Sequence, residues 1–175
     1  MTELLEAVYS FPPLLGINPR LLILGSMPGV ASLQAQQYYA HPRNQFWAIM
    51  GELVGASPNL NYAERCEKLT QAGIALWDVL KTCRRQGSLD SNIQTDSILC
   101  NDIGGLLLQQ PQLEYIFCNG TAAAETFRKQ IQPGLNYHPV LVTRLPSTSP
   151  AHASLNFEQK LAIWREALTG LLLEY

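Results

Sequence analysis

Residues 20–47 read RLLILGSMPGVASLQAQQYYAHPRNQFW. Leu21 to Leu24 form an apolar β-run that stops at Gly25-Ser26-Met27-Pro28-Gly29, and a loop from Tyr38 to Asn44 leads into an apolar helix. A glycine-proline turn at a strand end lets backbone approach a ligand closely. Three further apolar runs have the same character: Ile74–Leu80, Tyr115–Asn119 and Pro139–Arg144, with the first taken as Arg20–Leu24. Continuous apolar runs of this length suit strands buried on both faces.

Helical patterns separate the runs. Asn44–Val54 starts at an asparagine cap and stops before Gly55, and Tyr62–Gln71 stops before Gly73. Asp96–Gln110 contains Gly104-Gly105, which weakens a helix there. Thr121–Gln132 starts at a threonine cap and ends at Pro133-Gly134. A last helix spans about Asn156 to Leu173, with Phe157, Leu161, Trp164, Leu168 and Leu171 or Leu172 on one face. Strands alternating with helices predict a three-layer α/β/α fold with a central, mainly parallel four-stranded sheet. Residues 1–175 carry no repeat, low-complexity tract or linker, so one domain is expected.

Composition narrows the class. Hydrophobic residues make up 47% and charged residues 15%, and no apolar run reaches the length of a membrane span. The N-terminus is acidic where a signal peptide is basic, so a cytoplasmic protein is expected, and separately a monomer. Cys66, Cys83, Cys100 and Cys118 lie about seventeen residues apart, without C-x-x-C pairs. That spacing suits reduced core thiols, and neither a metal nor an organic cofactor is expected. A net charge of −2 opposes a strong, sequence-blind grip on nucleic acid. Arg43, Lys81, Arg84, Arg85 and Arg144, however, fall near the carboxyl ends of expected strands, where they either form a small phosphate-binding patch or are ordinary solvated loop charges.

The marked segments converge where α/β sheets bind ligands, beyond the carboxyl ends of the strands. GSMPG is neither a dinucleotide fingerprint nor a phosphate loop. It is a tight turn or a backbone cradle. Tyr39 is either a packing residue or a platform for a flipped base. Asn44 caps a helix, orients a small polar reactant, or does both. Asp78 is a cap or an acceptor-only base reader. Leu145-Pro146-Ser147-Thr148-Ser149-Pro150-Ala151-His152 is a proline-ordered turn, or a loop whose Ser147, Thr148 and Ser149 meet phosphates in a minor groove. Lys81 could in principle attack a sugar carbon, although phosphate contact suits it better.

These segments together resemble the uracil-DNA glycosylase superfamily, and most closely its hypoxanthine-DNA (deoxyinosine) glycosylase branch. The likeness runs from Arg20 to Ala153. It rests on the glycine-proline motif, Asn44-Gln45-Phe46-Trp47, GIALWDVL followed by SLDS, and Pro146-Ser147. In many members the first motif carries an Asp or Asn that positions water; here Ser26 or Met27 stands there. The resemblance to the hypoxanthine branch assigns that role to Asn44, and base contact to Gly25, Ser26, Met27, Pro28, Tyr39 and Asp78. Leu145 replaces the His or Asn of uracil-specific relatives. The resemblance thus implies a monofunctional enzyme that hydrolyses the N-glycosidic bond of deaminated bases in DNA, hypoxanthine preferred, and leaves an abasic site. Three alternatives stand beside it: a mismatch-type uracil or thymine glycosylase, a non-catalytic nucleotide-binding module, and a small hydrolase using Ser147 with His41 or His152.

Overall fold

The computed structural model describes residues 4–136 and 139–173. Seven strands and six α-helices alternate along it: β1 (Ala7–Tyr9), β2 (Leu21–Gly25), α1 (Val30–Ala35), α2 (Phe46–Val54), α3 (Tyr62–Gln71), β3 (Ile74–Asp78), β4 (Leu80–Arg84), β5 (Leu99–Cys100), α4 (Ile103–Gln109), β6 (Tyr115–Asn119), α5 (Thr121–Thr126), β7 (Leu141–Leu145) and α6 (Phe157–Leu168). The central sheet has the order β3-β2-β6-β7, with all neighbours parallel. The expected α/β/α architecture is present.

Strand β2 shows why. Leu21 and Ile23 join one buried cluster, with Phe46, Leu69 and Trp164 from α2, α3 and α6. Leu22 and Leu24 point the other way, into a cluster with Leu107, Ala123 and Phe127. Alternate side chains leave opposite faces of a strand, so a strand apolar at every position needs helices on both sides. Each leucine fully buried there stabilises the fold by about 1.5–3 kcal/mol.

The order also fixes where a ligand can sit. The first crossover carries the chain from β2 to β3 on one side, while β6 lies on the other side of β2. The carboxyl ends of β2 and β6 therefore flank a topological switch point, where the loops part and leave a crevice.

Three expectations need correction. The run Ile74–Leu80 is not one strand: the chain leaves the central sheet after Asp78, and Leu80–Arg84 enters a second sheet, antiparallel, of order β1-β4-β5. Asn101 makes this possible, because its Nδ2 donates to the carbonyls of Asp78 (2.8 Å) and Leu80 (3.1 Å) at the change of sheet. The helix expected over Asp96–Gln110 is shorter. Its first part is a turn at Thr95–Ser97 followed by β5, and Asp102 starts α4 by accepting from the Gly105 amide at 2.9 Å. A Cβ on Gly105 would come within 2.3 Å of the Asp102 carboxylate, so the glycine that argued against a helix interior serves its cap. Finally, Gly120 (φ +97°), not Thr121, caps α5, which runs on as a wider helical turn over Phe127–Ile131.

α6 starts as expected. Asn156 and Gln159 form a reciprocal capping box, each bond 2.9 Å. The helix ends at Leu168 and continues as one tighter turn, Thr169–Leu171. The four cysteines are free thiols. No helix among the described residues is long and apolar enough to cross a membrane.

Candidate active site

A cavity of about 250 Å³ opens at the switch point. Gly25–Ser32, Tyr38, Tyr39, His41 and Asn44 line its walls, the buried Asp78 and Asn119 its floor, and the exposed Ser88–Asp90 turn and the Ser147–Ala151 loop, exposed at Pro150 and Ala151, its mouth. The volume is small beside the roughly 300–1,000 Å³ of drug-sized pockets and suits a single flat ring system.

The floor is built by register. Gly25 and Asp78 are paired at the ends of β2 and β3. A Cβ on Gly25 would sit 2.5 Å from Asp78 Oδ1 and 3.1 Å from the Tyr39 hydroxyl, so glycine is what lets these two side chains meet over the strand end. Neither the Tyr39 hydroxyl nor Asp78 Oδ2 has a partner at hydrogen-bond geometry, though both are buried. Burial is the main cause that pushes the Asp78 carboxyl up to about 7; the Asp90 charge adds to the shift and Arg85 opposes it. Burial, then the charge on Asp78, raises the Tyr39 phenol, and a weak contact with the Asn119 side chain, short of hydrogen-bond geometry, lowers it. An unpaired buried polar atom costs about 1–3 kcal/mol. Both belong to side chains that meet over the end of β2, and such a cluster of buried, unsatisfied polar groups in a cleft marks a candidate functional site.

Tyr39 is held in the left-handed region, φ +55°. The amide of Ala40 donates to Ser32 Oγ at 3.0 Å, and the Trp47 indole donates to the carbonyl of Tyr38 at 2.8 Å. The Tyr39 ring stacks on Phe46 with centroids 4.1 Å apart and planes at 26°. Asn44 lies one residue before the expected place in the cap: Gln45 is the cap residue, and Asn44 Oδ1 accepts from the Phe46 amide at 3.0 Å. That bond engages one lone pair and leaves the rest of the amide facing the cavity that Asn44 lines. His41 Nδ1 accepts from the Arg43 amide, and its carbonyl accepts from the Asn44 amide. His41 thus shapes the turn that presents Asn44.

The other expected residues divide. Ser26 Oγ donates to Asp90 Oδ1 at 2.6 Å and ties the GSMPG turn to the facing segment. Met27 turns away into a small cluster with Leu80 and Cys83, so it offers the cavity its backbone edge. Pro28 is buried and its carbonyl accepts from Arg85. Arg85, expected at a phosphate, is only 5% exposed and donates to the carbonyls of Pro28 and Gly87; it braces the turn from behind. Lys81 is exposed on β4 and outside the cavity lining, and Arg84 pairs with Asp96 at 4.0 Å. Departure of β4 into the second sheet moves both away from the floor. Arg43 is exposed beside the mouth, and Arg144, also exposed, reaches Thr121 Oγ1 at 3.4 Å.

Thr148, expected to face phosphate, is fully buried and doubly bonded to Asn119, whose Nδ2 donates to its Oγ1 and whose Oδ1 accepts from its amide, both at 3.0 Å. Ser147 Oγ accepts from the Ser149 amide, and Ser149 Oγ from the Ala151 amide, so these half-buried hydroxyls order the loop. The small-hydrolase alternative lacks its pair: the His152 ring meets Ser154, and the His41 ring meets a backbone amide.

Sequence reasoning missed the residues that hold this loop. Besides Asn119, the Gln45 amide donates to the Thr148 carbonyl, the Trp164 indole to that of Pro146 and the buried Lys160 ammonium to that of His152 at 2.7 Å. Asn119 ends an apolar run at the ligand edge of the sheet, where the sequence marks Cys118-Asn119-Gly120 but gives the asparagine no role. Lys160, charged and flanked by the apolar face of α6, gave none.

The uracil DNA glycosylase superfamily model matches residues 12–168, nearly the whole described chain. The chain belongs to the uracil DNA glycosylase superfamily. A hypoxanthine DNA glycosylase of Methanosarcina barkeri is 39% identical over 116 residues, 66% of this chain and 72% of that protein. One of Methanosarcina acetivorans is 38% identical over 143 residues, 81% of this chain and 86% of that protein. The solution NMR structure of a candidate uracil DNA glycosylase from M. acetivorans superposes with a TM-score of 0.71 at 35% identity, covering 92% of this chain and 98% of that one. Resemblance and family agree, and the cavity lies where the family motifs of the sequence meet.

Proposed function

We propose that the chain is a monofunctional DNA glycosylase that removes hypoxanthine from DNA and leaves an abasic site. The observation that carries this reading is the meeting, over the end of β2 on the cavity floor, of the buried Asp78 carboxylate and the Tyr39 hydroxyl, neither engaged by a hydrogen bond of good geometry. Hypoxanthine presents O6, an acceptor, beside N1–H, a donor. With Asp78 ionised, its carboxylate accepts from N1–H while the Tyr39 hydroxyl donates to O6. Adenine reverses both positions, with an amine donor and a bare N1 lone pair, so the same floor repels it. The names of the Methanosarcina relatives support the same substrate.

The base leaves the stack, at a cost of a few kcal/mol that is smaller for a mispaired base. It lies on the face of Tyr39 that Phe46 does not cover, a contact that contributes about 1–3 kcal/mol. The bond between N9 and C1′ breaks with its electron pair moving to the base, and a water oxygen adds to the cationic C1′. Asn44 orients that water; an amide is too weak a base to deprotonate it outright, so its contribution is position. The departing base takes up a proton, and hydrogen bonding at O6 lowers the energy of its anionic form. Lys81 stands away from the floor and the buried Lys160 ammonium is engaged by a carbonyl, so water is the nucleophile of this reading.

Single-turnover assays on duplexes carrying one hypoxanthine, uracil, xanthine or mismatched thymine test it. Hypoxanthine should be released fastest, with strand breaks only after alkali. Uracil shares the carbonyl-and-N–H edge and is the nearest competitor; faster release of uracil or thymine would make this a mismatch enzyme. Binding without release would make it a non-catalytic module.

A further inference from the structure

We propose that Leu89 is the side chain that enters the base stack and occupies the space left by the flipped nucleotide; this rests on the base-excision reading above. Among the described residues, nine large hydrophobic side chains are exposed, and only two of them, Leu89 (51%) and Val30 (41%), line the cavity. Single exposed leucines are ordinary on a protein surface. Two together at the mouth of a base-sized cavity are not scattered, and the Val30 amide donates to Ser88 Oγ at 2.9 Å, which ties the start of α1 to the residue before Leu89.

The turn that bears Leu89 is built to hold it out. The Asn92 amide donates to the Leu89 carbonyl at 3.0 Å, and Asn92 Nδ2 to the Gln86 carbonyl. Arg85 Nε donates to the Gly87 carbonyl, and Ser26 Oγ to Asp90. Gly87 takes φ +72°, a conformation that sharpens the turn. A side chain presented by an ordered turn loses little freedom on insertion. Unstacking a base step exposes ring faces that an aliphatic wedge covers again. The other loop at the mouth, Ser147–Ala151, offers hydroxyls, an alanine and the exposed ring of Pro150, which is held close to the backbone and reaches less far than a leucine. Duplex DNA held across the mouth would therefore meet hydroxyls and a proline on one loop and Leu89 on the other.

The test compares single-turnover release of hypoxanthine from duplex and from the same strand alone, using wild type, Leu89→Ala and Leu89→Met. A wedge matters only where there is a stack to fill. Leu89→Ala should be at least tenfold slower on duplex and within twofold of wild type on the single strand, with Leu89→Met restoring most of the duplex rate. Equal losses on both substrates, or no loss on duplex, would overturn the proposal. A 2-aminopurine beside the hypoxanthine gives a second readout, since its fluorescence should rise when wild type binds duplex and rise much less with Leu89→Ala. This arm needs no excision. Should wild type bind duplex but release no base, the excision reading fails, and the fluorescence of the two proteins still decides whether Leu89 enters the stack: equal signals reject it.

Discussion

The two sheets of this molecule stand in contrast. In the central parallel sheet β2, β3 and β6 are buried on both faces and bring Gly25, Asp78 and Asn119 together at the carboxyl edge, where the polar floor lies. The small antiparallel sheet is half exposed, and the chain leaving it passes the buried Arg85 and carries the turn with Leu89 to the rim. On the proposed reading, one sheet sets the reaction and the other sets how duplex DNA is engaged. The difference teaches that in a compact fold the atoms that must not move are placed by strand register, while those that meet a large partner ride on turns braced from beneath. Lesions at the floor should change chemistry and stability on every substrate. Lesions at the rim should change only what depends on the duplex.

The largest expected effect on stability is at Asp78. Its folded value near 7 lies above its ordinary 3.8, so ionisation opposes folding. The penalty begins as pH rises past about 4 and is complete above about 7. Asp78→Asn should therefore stabilise the fold above pH 7, by up to roughly 4 kcal/mol at ~1.4 kcal/mol per pH unit, and by nothing below pH 4. The same change should blunt the preference for hypoxanthine over adenine and uracil. In wild type, kcat/KM on hypoxanthine should rise as pH increases through about 7, because the charged form accepts N1–H. Denaturant titrations at pH 4 and 8 with rate profiles check both signs; a variant less stable at pH 8 would show that Asp78 is held by a bond and not merely tolerated.

Next comes Asn119→Ala. It removes both bonds to Thr148 and leaves buried partners unpaired, a loss of about 2–4 kcal/mol. Hypoxanthine release should fall about tenfold or more on duplex and single strand alike, because the loop itself is displaced. A loss confined to duplex would move Asn119 from the floor to the rim side of the comparison.

The smallest effect concerns phosphate contact. Arg43 and Arg144 are exposed, whereas Arg85 is buried under Pro28. Replacing Arg43 and Arg144 with Gln should reduce the slope of log K against log salt by about 0.9 for each residue that meets a phosphate. The fold should be nearly unchanged. A slope that stays fixed would place the footprint elsewhere.

How much of this was legible in the sequence follows the same division. Leu21–Leu24 and Tyr115–Cys118 announce buried strands because every position is apolar or aromatic, and strand order then makes the crevice. Tyr39, Asn44 and Asp78 could be named because their types carry chemistry at a strand end or loop. The antiparallel sheet was not legible: β1 and β5 are short and half exposed, so neither shows a clean period, and Leu80–Arg84 mixes Lys and Arg with buried Thr and Cys. Arg85 looked like a phosphate ligand because burial of a guanidinium depends on carbonyls distant in sequence, such as that of Pro28. Thr148 misled for the same reason, its partner lying on β6.

The central claim is that water held by Asn44 performs the cleavage on a base read by the floor. Single-turnover release of hypoxanthine by wild type and Asn44→Ala, with DNA affinity and unfolding measured on the same samples, tests it most directly. Loss of the bond to the Phe46 amide should cost about 0.5–2 kcal/mol of stability. The account predicts a folded variant that binds inosine-containing duplex like wild type and releases base at least a hundredfold more slowly. A folded Asn44→Ala that releases hypoxanthine at near the wild-type rate would contradict it.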